Sequence, residues 1–259
     1  MAVTTQTPTA SATEGIQYAA LPDWTPSAEQ LAAEQLAAVD MLFELNAHKD
    51  SACVSEVISD PKWLLCFVRA CDCDAQRAAT LARQCCSGQP PTVAYSMLFD
   101  GLLHVLPERD SCGRPILLVR VGALKTLLRT HSFEELAAAA ASWLKERLRI
   151  DPVAQRRGVT IIQDLVGMDA ALVLMLMKPK VIASQLYYAR YFSSHYPLKF
   201  GWLATVDAPQ AFSSLWSVLS AALPEWLVNA VRFLNRPQAD KELASLIGVR
   251  GSVLECEQK

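Results

Sequence analysis

Four histidines, His48, His104, His131 and His195, are the side chains best suited to proton transfer near neutral pH, but they fall on different expected elements or loops. A Cys–His nucleophile pair could be drawn from Cys112 and His104, yet both belong to a hairpin and its turn, whose residues usually face solvent rather than one cleft. Asp164 stands at the end of an apolar run and could act as a general acid or base; a loop or backbone cap is the favoured reading. The chain carries no Gly-x-Ser-x-Gly elbow, phosphate-binding Gly-rich loop, dinucleotide fingerprint or His-Glu-x-x-His. No catalytic residue is assigned, and the expectation is a protein that is not an enzyme and uses no cofactor. Of the eight cysteines, Cys66, Cys71, Cys73, Cys85 and Cys86 are close in sequence. They form no Cys-x-x-Cys and have no nearby histidine, so buried reduced thiols are expected and no metal site.

The elements that would have to position these residues divide the chain. Residues 1–26 are rich in Thr, Ala, Ser and Pro and read as a flexible tail. Residues 27–95 read as a small all-helical unit. Ser27 opens an Ala-rich helix to about Ala47, Asp60-Pro61 starts another, and Asp74 caps a third that Gly88 can end, with Gln89-Pro90-Pro91 as the joint. The period then changes. Gly101–Leu106 and Pro115–Val121 are short apolar runs around the turn-prone Asp110–Gly113, which suggests a hairpin. A capping box at Ser132 and Glu135 opens a long helix whose apolar stripe is Phe133, Leu136, Ala137, Ala140, Leu144 and Leu148. Strands at Gly158–Leu165, Phe200–Val206 and Leu227–Leu234 then alternate with helices starting at Pro179 and Pro209, giving an α/β domain with a mixed sheet under helical cover. The helix from Pro209 to Ala222 puts Phe212, Leu215, Trp216 and Leu219 on one stripe and has no charged residue. It reads either as a core helix with a serine-lined exterior or as a lid.

Composition sets the outer limits. Hydrophobic residues make up 52% of 259 and charged residues 19%, so wholesale disorder is excluded. No apolar run reaches the ~18 residues of a spanning helix. A net charge of −2 supplies no global field for nucleic acid, and none is expected as a partner. Six acidic residues precede the first basic one, Lys49, leaving the remainder at +4. An N-terminus without Lys or Arg lacks the basic region of a secretory signal, which makes the cytoplasm the expected compartment.

Five short motifs occur in a familiar order. Trp63-Leu-Leu-Cys-Phe-Val-Arg-Ala-Cys-Asp-Cys-Asp-Ala75 resembles a segment of the helical unit that precedes CRAL-TRIO lipid-binding domains. Arg109-Asp-Ser-Cys-Gly-Arg-Pro-Ile116 is similar to their hairpin, Ile162-Gln-Asp-Leu-Val-Gly167 to a strand end, Tyr196-Pro-Leu-Lys199 to their Tyr-Pro motif, and Val206-Asp-Ala-Pro-Gln-Ala-Phe212 to the segment leading into their mobile gate helix. Where phosphoinositide-handling members carry an acid and a lysine, this chain has Leu198 and the Asn229-Ala230-Val231 stretch, which argues against a phosphoinositide headgroup in the pocket. The family's C-terminal Leu-Pro-x-x-x-Gly-Gly is replaced by Ile247-Gly-Val-Arg-Gly-Ser-Val253.

The resemblance implies a five-stranded mixed sheet flooring a lipid pocket in a domain spanning 96–250, followed by a tail at 251–259. It implies binding and intermembrane transfer of a hydrophobic small lipid, isoprenoid-type or phospholipid, by a monomer that touches membranes transiently. The ligand-binding positions expected are Ile161, Leu165, Val181, Leu186, Phe212, Leu215, Trp216 and Leu219, with Lys178, Lys180 and Lys199 as the membrane-docking set. The rival is a module of the same fold that binds proteins or targets membranes and keeps a vestigial pocket.

Overall fold

Short polar residues ahead of apolar runs set most of the helix starts. The computed structural model describes residues 25–47 and 51–247. The expected tails 1–26 and 251–259, His48, Cys256 and most of the Ile247–Val253 stretch lie outside them, apart from residues 25, 26 and 247. Ser27 accepts a 3.1 Å bond from the Gln30 amide at the start of α1 (Ala28–Asn46). A helix without a side-chain cap, α2 (Ala52–Ser59), follows. Asp60 accepts from the Lys62 and Trp63 amides to start α3 (Pro61–Ala70), and Asp74 accepts from the Arg77 amide to start α4 (Ala75–Ser87).

The hairpin is β1 (Leu103–Arg109) and β2 (Pro115–Arg120). Its turn is held by buried Asp110, whose carboxylate accepts from Arg114 Nε at 2.6 Å and Thr160 Oγ1 at 2.8 Å. This motif is therefore structural. A short α5 (Leu124–Leu127) leads to α6 (Phe133–Ile150), which begins with the expected capping box: Ser132 accepts from the Glu135 amide, and the Glu135 carboxylate accepts from the Ser132 amide. After α7 (Pro152–Arg157) the chain turns at Gly158, φ +86°, where a Cβ would lie 2.3 Å from the Lys199 carbonyl oxygen.

Next come β3 (Val159–Asp164), α8 (Ala170–Leu176), α9 (Pro179–Arg190), β4 (Phe200–Val206), α10 (Phe212–Ser220), α11 (Glu225–Ala230), β5 (Val231–Leu234) and α12 (Arg236–Ile247). The last strand is shorter than expected. Leu227–Ala230 belongs to α11, because Pro224 precedes a helical turn rather than an extended run, and a short apolar segment does not distinguish the two conformations.

The sheet order is β1-β2-β3-β4-β5, with β1–β2 antiparallel and the other pairs parallel. Alternation sends Ile116, Leu118, Ile162, Ala204 and Val206 to one face, where they meet Ala239 of α12 in a small core. The opposite face looks toward α6, α9 and α10. The main core is continuous from the helical unit into the domain, with Trp63, Phe67 and Cys85 in one cluster with Leu136, Trp143 and Tyr196. The joint near residue 90 is thus a chain connection rather than a gap in packing. Buried Glu34 of α1 reinforces it, receiving Arg69 at 2.8 Å and Arg156 at 2.5 Å. Burial alone would raise the Glu34 carboxyl, but the two guanidiniums outweigh it and hold the group below the usual range.

Candidate functional site

Between the open sheet face and its helical cover lies a cavity of about 450 Å³. β3 and β4 supply the floor through Ile161, Gln163, Leu203 and Thr205, with Leu165 just past the end of β3. The wall from α6 is Phe133, Leu136, Ala137, Ala140 and Leu144, five of the six residues of the expected stripe. Opposite, α9 and the helical turn after it contribute Gln185, Tyr188, Ala189, Phe192 and Ser193. The roof is α10, with Phe212, Leu215, Trp216 and Leu219 facing inward and Ser213, Ser214, Ser217 and Val218 outward. None of the lining residues is charged. Tyr188 is the titratable group among them, and burial, with Tyr187 and Glu134 nearby, holds its phenol above the ordinary tyrosine range. The site therefore stays neutral at physiological pH.

Such a volume is large for a protein interior. Close-packed interiors keep few voids larger than a water molecule. The arrangement fits an occupant.

The roof packs on a core of its own. Phe212 and Leu215 pack with Leu165, Met168, Leu172, Val173 and Leu176 in a small cluster distinct from the main core. Phe212 and Trp216 also meet Phe233 of β5, with ring centroids 6.2 and 5.2 Å away. The segment leading into α10 begins at Asp207, φ +54°, a left-handed conformation for a non-glycine residue. Arg236 fixes it with a 2.9 Å bond to Asp207 and a 3.0 Å bond to Asp164. At the far end, Arg190 Nε donates to the Ala222 carbonyl at 3.1 Å. The roof helix is pinned at both ends and rests on its own core.

Six of the eight expected ligand positions, Ile161, Leu165, Phe212, Leu215, Trp216 and Leu219, line this cavity. Val181 and Leu186 are not among the lining residues. The inner face of α9 is Gln185, Tyr188, Ala189 and then Phe192, so Leu186 is turned about 100° away from Gln185. Val181 packs under the α8–α10 cluster instead.

The three lysines do not make one patch. Lys178 and Lys180 are exposed at the start of α9. Lys199 sits at the start of β4, beyond the ~18 Å length of that helix, bound to Asp72 of the helical unit at 2.5 Å. His104 and Cys112 are also apart, separated by roughly 17 Å of strand. Asp164 caps its own loop through the Val166 amide and receives Arg236, a structural role.

Sequence reasoning missed Gln163 and the α6 wall as pocket residues. A polar side chain inside an apolar strand was the available signal for the first. The α6 stripe was visible as a buried face, but periodicity does not report whether the space behind it is filled.

Among the described residues no group of His, Cys, Asp and Glu could hold a metal ion, and no single helix is long and apolar enough to cross a membrane. The CRAL/TRIO domain family matches residues 100–250. Comparison with curated proteins gives no match. Among solved structures, the crystal structure of Sfh5 is similar in fold, with a TM-score of 0.56 at 10% identity over 84% of this chain and 87% of that one.

Proposed function

This chain belongs to the CRAL/TRIO domain family, and we propose that it binds one hydrophobic lipid in the cavity under α10 and exchanges it with membranes as α10 opens. The observation that carries this reading is the uncharged, largely apolar cavity of about 450 Å³ closed by a helix with its own small core. That volume lies within the ~300–1,000 Å³ of pockets that bury most of a small ligand. Each methylene transferred from water into it contributes ~0.8 kcal/mol, so a lipid chain is held without charge pairing. Release needs a second apolar phase, which a bilayer provides. No covalent step is part of the proposal.

Lys178 and Lys180, beside exposed Leu174 at the edge of the roof cluster, are the proposed membrane contact. Lys199 is left out because Asp72 already holds it. Transfer of a fluorescent lipid between donor and acceptor vesicles tests the function: the protein should accelerate it catalytically. No acceleration with any lipid class would argue for the alternative, an interaction module with a vestigial pocket. The outer face of α1 favours that second reading, since it leaves Leu36, Val39 and Phe43 exposed at helical spacing.

A further inference from the structure

The cysteines of the helical unit do not share one environment. Cys66, Cys71 and Cys85 are buried, and the Cys85 sulfur meets the Tyr191 hydroxyl at 3.4 Å. Cys53, near the start of α2, and Cys86, in the last turn of α4, are only half-buried and hydrogen-bond to each other. Gln89 holds both residues: its side-chain Oε1 accepts from the Cys53 thiol at 2.6 Å, and its backbone amide donates to the Cys86 carbonyl at 3.5 Å. Two thiols from different helices are thus brought together where a small solute can reach them.

We propose that Cys53 and Cys86 are a redox pair that a hydroperoxide converts into a disulfide joining α2 to α4. In the first step the Cys53 thiolate attacks a peroxide oxygen and the O–O bond breaks, leaving Cys53 as a sulfenic acid. The other oxygen departs as hydroxide and takes up the proton that Cys53 gave away. In the second step the Cys86 sulfur attacks that of Cys53, the S–O bond breaks, and the departing hydroxide leaves as water with the Cys86 proton. With hydrogen peroxide, two thiols are oxidised, one peroxide is reduced and two waters form.

The shared hydrogen bond assigns the roles. Cys86 donates to the Cys53 sulfur, which favours the Cys53 thiolate against burial and holds the Cys86 proton in place. Cys53 is therefore the attacking sulfur and Cys86 the resolving one. The Lys145 ammonium assists at Cys53 and the Glu56 carboxylate opposes it. The two helices differ in how firmly they are held. No side-chain bond caps α2, which buries Val54 and Val57, whereas α4 is capped by Asp74 and buries Ala78, Ala79, Ala82 and Cys85. The disulfide would tether the weaker helix to the stronger, whatever fills the cavity.

Hydrogen peroxide added to the reduced full chain, followed by alkylation and non-reducing peptide mapping with fragmentation, tests the pair. The expected product has lost two hydrogen atoms, contains a peptide cross-linked from Cys53 to Cys86, and regains both thiols with dithiothreitol. Amide hydrogen exchange in α2 should slow at least about fivefold in the oxidised form. Because Cys85 and Cys86 are neighbours, two variants separate them: Cys86→Ser should leave Cys53 as a dimedone-reactive sulfenic acid with no internal cross-link, and Cys85→Ser should still form the cross-link. A cross-link to Cys85 instead, a Cys53 that stays reduced at a peroxide concentration that oxidises Cys112, or α2 exchange that oxidation leaves unchanged overturns the proposal.

Discussion

Tyr188, Tyr191 and Tyr196 stand between the helical unit and the cavity, and burial holds all three phenols above the usual tyrosine range. Burial likewise raises the Cys66 thiol and pushes that of Cys85 up to about 12. An unfolded chain loses these protons first, near pH 9 for thiols and 10 for phenols. Their contribution to stability is therefore complete below about pH 9 and lost as pH rises toward 12. Thermal unfolding followed across that range should show a falling midpoint; an unchanged midpoint at pH 11 would contradict the burial of these groups. Glu34 acts on the acid side: its lowered carboxyl stabilises the fold above about pH 4.5, and this is lost below it. Accessibility orders the thiols as well. Cys112 is exposed in its turn and should be alkylated first. Cys53 should follow, because a hydrogen bond with Cys86 lowers its thiol against the opposing effect of burial. Cys66, Cys71 and Cys85 are buried and should resist until unfolding, as peptide mass mapping after a short iodoacetamide pulse would reveal. Early labelling of Cys66 or Cys85 would mean that the helical unit opens in the native state.

Helix α10 is where local sequence and function meet. Its inner face closes the cavity through Phe212 and Trp216, which stack at 6.3 Å, and truncating a buried aromatic costs ~3–5 kcal/mol. Phe212→Ala with Trp216→Ala should loosen the closed roof and raise the release rate of a bound fluorescent lipid at least tenfold, with the far-UV CD spectrum preserved. Unaltered release from a folded double variant would remove α10 as the gate. The legibility of these elements follows the physics of each signal. Ser132 and Glu135 announced α6 because a capping box is a local hydrogen-bond pattern, and Asp60-Pro61 and Asp74 did the same for α3 and α4. The α2 helix has no side-chain cap, and β5 lost its first half to α11 because Leu227–Leu234 is too short for period to decide. Phe212, Leu215, Trp216 and Leu219 were legible as one stripe, whereas Leu186 was placed one residue off the inner face of α9. Gln163 was marked in sequence only as a polar residue in an apolar run, and its pairing with Thr205 comes from the register of β3 and β4.

The whole molecule has an uneven surface for meeting a bilayer. Exposed Lys178 and Lys180 flank the roof, and each basic residue near an anionic surface contributes roughly 1 kcal/mol, enough for reversible attachment. Vesicle co-sedimentation at low salt should therefore weaken for Lys178→Gln with Lys180→Gln and hardly change for Lys199→Gln. Equal loss from both variants would place the docking surface elsewhere. The order of motifs along the chain made the architecture readable from sequence. The cavity was not readable in the same way, because an empty space depends on what four separated elements fail to fill. Its occupancy is the central claim. Ala140 faces the cavity from the wall helix α6, so Ala140→Trp would take up part of the space a lipid occupies. The decisive measurement is native mass spectrometry of the protein purified from its own cells, alongside the Ala140→Trp variant. The account predicts one noncovalently bound, uncharged lipid per chain in the unmodified protein and markedly lower loading in the folded variant. An empty unmodified protein, or equal lipid loading in both, would contradict it.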